Sequence, residues 1–209
     1  MKTAKLIVLC LLLACAIGAS ADTVPLYFSG PPVTGETTSD GQYYISPYTA
    51  VLNSTPVSVF CVDPTHEAYF GSTWNVTVSN LTGDLSATRL GNAGLAAYQE
   101  IAYLLFDTGY MNASTTTATR QAIQAAVWYI SNSSSAEGAN NSWVAQAKAL
   151  QAAGWQGINF SNVSVLSDPQ GVYQEFMVQT PEPGTLLLLG MGLIGLGWLS
   201  VKRRKCSTC

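Results

Sequence analysis

Residues 117–130 read TATRQAIQAAVWYI, and this stretch decides the class of fold. Ile123, Val127 and Ile130 recur at i, i+4 and i+7, the spacing that places apolar side chains on one stripe of an α-helix. The Ser/Thr run before it offers capping side chains. Upstream, residues 93–106 set Ala97, Ile101, Leu104 and Leu105 on a second helical stripe, which Asp107-Thr108-Gly109 stops. Downstream, a third helix is predicted from Asn141 to Ala153, ended by Gly154. Outside these helices the pattern changes. Short β-branched or aromatic runs at 24–28, 42–45, 49–52 and 56–61, and the alternating Thr-Trp-Asn-Val-Thr-Val at 73–78, predict strands before the helices. Two more strands are expected after them, at 162–166 and 171–178. The reading is an α+β domain: a β-sandwich or barrel-like framework with an inserted helical segment.

Both ends of the chain look like addresses. Lys2 and Lys5 precede an apolar run from Leu6 to Ala14, too short to span a bilayer. Ala19-Ser20-Ala21 then supplies the small side chains a signal peptidase accepts, so a signal helix at 1–21 and a mature start near Asp22 are expected. A lipoprotein signal at Cys15 fits less well, because Leu13 and Ala14 are a poor approach to it. At the other end, Pro181-Glu182-Pro183 leads into an uncharged apolar stretch from Thr185 to Val201. That is about 17 residues, the lower limit for one transmembrane helix. Lys202-Arg203-Arg204-Lys205 follows and should stay cytoplasmic.

The segment between these ends is strongly acidic. All 12 acidic residues lie in 22–182, with only Arg89, Arg120 and Lys148 of the 9 basic ones, so its charge is about −9. Such a surface repels nucleic acid and anionic membranes. Of the 5 cysteines, Cys10 and Cys15 belong to the leader and Cys206 and Cys209 to the tail, which leaves Cys61 alone. Exported proteins usually pair their cysteines, so an odd one is either a reactive thiol or a buried small hydrophobe.

Cys61 closes a predicted strand in Phe60-Cys61-Val62-Asp63. Gln124 sits beside the apolar stripe of the central helix, with Trp128 one turn further on. A thiolate held against a glutamine carboxamide can displace ammonia and form an internal γ-glutamyl thioester, provided the two are tightly positioned, because a free amide is a poor electrophile. The other options are thinner. His66 is the only histidine and matches no protease signature; it could orient Asp63 or face solvent. Zinc-type ligands are nearly absent and no phosphate loop or dinucleotide fingerprint occurs, so neither metal nor cofactor is expected. The tryptophans are read as core before they are read as a sugar groove.

Two resemblances follow from these residues. Pro-Glu-Pro, one short apolar helix and a terminal Arg/Lys cluster resemble the PEP-CTERM sorting signal of Gram-negative bacteria. That implies a signal peptide at 1–21, a surface domain at 22–178 and a sorting signal at 179–209. It implies export by signal peptidase and exosortase, with an inner-membrane-anchored precursor passed to the cell surface or extracellular matrix. Phe60-Cys61 together with Ile123-Gln124-Ala125-Ala126-Val127-Trp128, and Ile101 to Leu105 with Gly109-Tyr110, resemble the thioester domain of bacterial surface adhesins. By that resemblance Cys61 and Gln124 are the cross-linked pair, and the target is a surface amine or hydroxyl. Gln121, on the previous turn, is the weaker partner by the same resemblance, which implies apolar residues where Gln124 and Ala125 would fall. Such a bond forms once without turnover, so no enzymatic activity is expected. The alternative function is a non-covalent structural protein retained in exopolysaccharide, with an inert buried Cys61.

Terminal sequencing of the protein from its native host should place the mature ends near Asp22 and between Pro181 and Pro183. Recovery of Lys202 to Lys205 in surface material would instead indicate a permanent anchor.

Overall fold

The computed structural model describes residues 23–32, 35–133 and 140–179. The expected signal helix, Pro181-Glu182-Pro183, the C-terminal apolar helix and its basic tail lie outside the described residues. Among the described residues no helix is long and apolar enough to cross a membrane.

Six strands form the framework: β1 (Thr23–Pro32), β2 (Tyr48–Leu52), β3 (Thr55–Cys61), β4 (Thr73–Asn80), β5 (Val163–Ser167) and β6 (Phe176–Gln179). They pair antiparallel in the order β1-β2-β3-β6-β5-β4 and close into a barrel. Closure removes the unpaired edges that an open sheet would expose. Asn53 and Ser54 join β2 to β3, both at positive φ (45° and 67°), as a tight two-residue hairpin requires. β1 is irregular near Gly30, where an added Cβ would fall 2.8 Å from Thr49 Oγ1. Glycine lets the two strands approach at that point.

The two-residue period sorts the side chains into two cores. Leu26, Phe28, Tyr48, Ala50, Val59, Cys61, Trp74, Val76, Leu166, Phe176 and Val178 come from all six strands and fill the barrel. Their neighbours Phe60, Val163, Val165 and Met177 point the other way, against the helical layer. β5 is therefore buried along its whole length.

The helices are inserted between β4 and β5: α1 (Leu95–Ala102), α2 (Thr117–Ser131) and α3 (Ser142–Ala152). Thr116 caps α2 by accepting from the Thr119 N–H, and Asn141 caps α3 by accepting from the Trp143 N–H. The apolar stripe of α2 faces inward as read: Ile123 and Val127 are fully buried and Ile130 packs at the margin. Tyr98 of α1 donates to Glu175 Oε2 at 2.6 Å, and Ser167 of β5 donates to Glu175 Oε1 at 2.6 Å. This polar tie fastens the helical layer to the barrel, and burial raises the Glu175 carboxyl above its ordinary range.

Three expected elements differ. Residues 42–45 are not a strand. They belong to a loop with one isolated bridge, Thr37 to Tyr44, whose turn is held by Asp40 accepting from the Gln42 N–H. The last strand begins at Phe176, not Gly171, because the Asp168 carboxylate accepts from the N–H groups of Gln170, Val172 and Tyr173 and folds that stretch into a turn. The first helix starts at Leu95 after a short 3₁₀ turn at Asn92–Gly94, and its last turn, Tyr103–Asp107, widens into a π-helix.

Phe176 lies fully buried between the rings of Phe28, Tyr48 and Trp74. Phe176→Ala should destabilise the domain by about 3–5 kcal/mol. Urea unfolding followed by tryptophan fluorescence is the check, with an unchanged midpoint as the contrary result.

Candidate functional site

Cys61 is the last residue of β3 and pairs with Phe176, the first of β6, so it sits at the rim of the barrel. Its position in the alternation turns its side chain inward, and it is fully buried. Among the described residues it is a free thiol. α2 passes over this rim and brings Gln124 down onto it. Gln124 is also fully buried, and its Nε2 donates to the Cys61 carbonyl at 2.9 Å.

The other end of the Gln124 carboxamide faces a donor. Its Oε1 accepts from the Ser46 N–H at 3.2 Å, and the Tyr110 hydroxyl oxygen lies 3.5 Å away. The same hydroxyl donates to the Ser46 carbonyl at 2.8 Å, and the Ser46 hydroxyl accepts from the Cys61 N–H at 2.8 Å. Ser46 therefore touches Cys61, Gln124 and Tyr110 at once. Its loop is stitched to α2: Arg120 pairs with Glu36, Thr117 donates to Glu36 at 2.6 Å and Gln121 Nε2 donates to the Thr37 carbonyl at 2.8 Å. Gln121, the other glutamine weighed from the sequence, thus serves the loop and does not reach Cys61.

The sulfur has its own surroundings. Trp128 Nε1 donates to Sγ at 3.1 Å, and Gln174 Nε2 lies 2.8 Å from it while also donating to the Asp63 carbonyl at 2.9 Å. Burial pushes the Cys61 thiol up to about 12, and the Trp128 and Gln174 donors act against that rise. His66 is placed as a partner of Asp63: its Nδ1 lies 2.9 Å from Asp63 Oδ2, which Arg89 Nε also holds at 2.6 Å. Among the described residues no group of three or more His, Cys, Asp and Glu side chains could hold a metal ion.

Two openings meet at Trp128. A cleft of about 650 Å³ is lined by Trp128, Gln174 and His66 together with Tyr43, Tyr44, Tyr69 and Phe70. A smaller one of about 280 Å³ is lined by Gln124, Ala125, Trp128 and Asn141.

Residues 179–204 match the model of the PEP-CTERM protein-sorting motif. The chain carries a PEP-CTERM sorting signal. This signal marks an exported protein that an exosortase processes, and of its residues only Gln179 is described. Among solved structures the chain is similar to a pilus-presented adhesin, Spy0125 (Cpa), in two crystal forms. One superposes with a TM-score of 0.42 at 16% identity over 77% of this chain and 63% of that one. The other gives 0.41 at 14% identity over 80% and 50%. The PEP-CTERM chain thus spans less than two thirds of either adhesin chain. No curated protein matches it.

The structure brings the two sequence-selected residues, Cys61 and Gln124, together in this PEP-CTERM protein. Sequence reading did not find Ser46 or Gln174, both polar loop residues without a periodic signal. Tyr110 was noticed only through the Gly109-Tyr110 pair, not for its hydroxyl. Tyr110→Phe leaves the buried Ser46 carbonyl without that donor and should cost about 1–3 kcal/mol. Denaturant titration against the wild type measures it, and an unchanged stability would show that the hydroxyl does not hold Ser46.

Proposed function

We propose that the domain stores an internal thioester between Cys61 and Gln124 and spends it once, to attach itself covalently to a surface amine or hydroxyl. The observation that carries this reading is the clamp on the Gln124 carboxamide. It is fully buried, fixed against the Cys61 carbonyl through Nε2, and its oxygen accepts from the Ser46 N–H. Attack on the amide carbon moves negative charge onto that oxygen, and a preorganised donor there stabilises the charge as an oxyanion hole does.

The step balances simply. The Cys61 sulfur bonds to Gln124 Cδ, the Cδ–Nε2 bond breaks, the thiol proton passes to nitrogen, and ammonia leaves. An amine later bonds to Cδ, breaks the C–S bond and restores the thiol. With the thiol pushed up to about 12 by burial, the thiolate is scarce near pH 7. Tight positioning of the reacting groups works against that scarcity. The balance suits a bond formed once per molecule. Burial then shields the product from water.

Gln174 is a rival carboxamide, since its Nε2 is in contact with the sulfur. Gln124 fits better on two counts. Gln174 is only partly buried, whereas Gln124 is fully buried. The Gln124 oxygen also accepts from the Ser46 N–H. The reading keeps the domain among binding modules, tethered transiently to the membrane before exosortase release.

Freshly purified folded domain should weigh one ammonia less than its sequence. Cys61→Ala and Gln124→Ala should each remove that deficit. Full sequence mass with a titratable Cys61 thiol in fresh, amine-free material would leave an inert buried cysteine in a non-covalent matrix protein.

A further inference from the structure

We propose that Trp128 and Gln174 form a donor pair for the Cys61 sulfur that stabilises the thiolate expelled when the Cys61–Gln124 thioester is opened, an inference that rests on the reading above. Trp128 Nε1 lies 3.1 Å and Gln174 Nε2 2.8 Å from Sγ. A neutral thiol is a weak acceptor and does not need two N–H groups, whereas an anion is matched by them. Both donors are fixed independently of the sulfur. Gln174 is held by its second bond to the Asp63 carbonyl at 2.9 Å. Trp128 packs against both the barrel core and the helical core, with Tyr43 edge-on to its ring at 6.5 Å.

The placement divides the labour of one reaction. Trp128 follows Gln124 by four residues on α2, so one helix face presents the acyl carbon and a donor for the sulfur bonded to it. The Ser46 N–H faces the carbonyl oxygen; Trp128 and Gln174 face the sulfur. When an amine attacks Cδ, electrons collect on the oxygen. Collapse of that intermediate re-forms the carbonyl and breaks the C–S bond, and the bonding pair leaves with sulfur. The proton released by the amine nitrogen ends on the thiolate or on water. Burial alone makes Cys61 a poor leaving group, because it pushes the thiol up to about 12. Donors on the sulfur oppose that penalty where the bond breaks. Both side chains also line the cleft of about 650 Å³.

The experiment compares wild type with Gln174→Met, which keeps volume and removes the N–H donor, and with Trp128→Phe, which keeps an aromatic ring and removes the N–H donor with part of the indole. Protein confirmed as charged by intact mass is treated with methylamine, and the rate of thiol release is recorded. Each substitution should slow release about tenfold or more, the size expected for a lost hydrogen bond to a developing charge. In a Gln124→Ala background, where no Cys61–Gln124 thioester can form, the Cys61 Cβ NMR shift is followed against pH. There each substitution should move the onset of thiol ionisation up by about one pH unit. Unchanged release rates in charged variants overturn the proposal. So does slower release with no change in ionisation, which marks a packing defect. A variant that fails to charge is judged by the ionisation arm alone. A wild type that never shows the ammonia deficit sinks the thioester reading, while the ionisation arm still decides whether the donor pair acts on the sulfur.

Discussion

The carboxamide of Gln124 is buried with a donor on one side and an acceptor on the other, and the architecture around it exists to hold that arrangement. Its nitrogen needs an acceptor and finds the Cys61 carbonyl; its oxygen needs a donor and finds the Ser46 N–H, whose residue Tyr110 holds in place. A buried amide left unpaired costs about 1–3 kcal/mol, so each contact restrains the others. β3 must end at the barrel rim to present Cys61. α2 must cross that rim with Gln124 pointing down, and the loop carrying Ser46 must be tied to α2 through Glu36 and Arg120. Three segments distant in sequence, already brought close by the two apolar cores, are fixed in register there by one polar group at the core boundary.

The same burial has opposing consequences. It suppresses ionisation of the Cys61 thiol, which slows any reaction at sulfur. It also keeps water from an acyl group attached there. A site meant to turn over would be poorly served by this compromise, because each cycle would meet the suppressed thiol again. A site meant to form one bond and keep it is well served. The segment between the two terminal signals is strongly acidic and holds Lys148 as its one lysine, which is what an acidic exported surface shows with or without a stored acyl group.

Much of this was legible in the sequence, and the gaps have physical causes. The stripe of Ile123, Val127 and Ile130 located α2, because helical periodicity survives without tertiary knowledge. Most strands were found where β-branched alternation was clean, as in 73–78. The failures lie where side chains capture the backbone. The Asp168 carboxylate turns residues 168–173 away from β6, and Asp40 helps close a loop where a strand was expected at 42–45. At the site, Cys61 was conspicuous as an unpaired exported cysteine and Gln124 by its helical setting. Ser46 acts mainly through its backbone and Gln174 through a loop contact made across 113 residues, and neither leaves a local pattern.

The sorting signal and the site answer different questions. The PEP-CTERM motif at 179–204 says where the protein is sent. The contact between Cys61 and Gln124 carries the proposal for what the domain does on arrival. The most direct measurement of that claim is to treat freshly folded protein with isotope-labelled methylamine, digest it and sequence the labelled peptide. The account predicts one methylamine per molecule on the side chain of Gln124, with Cys61 released as a free thiol. Label on Gln174, or no label on any glutamine, would contradict it.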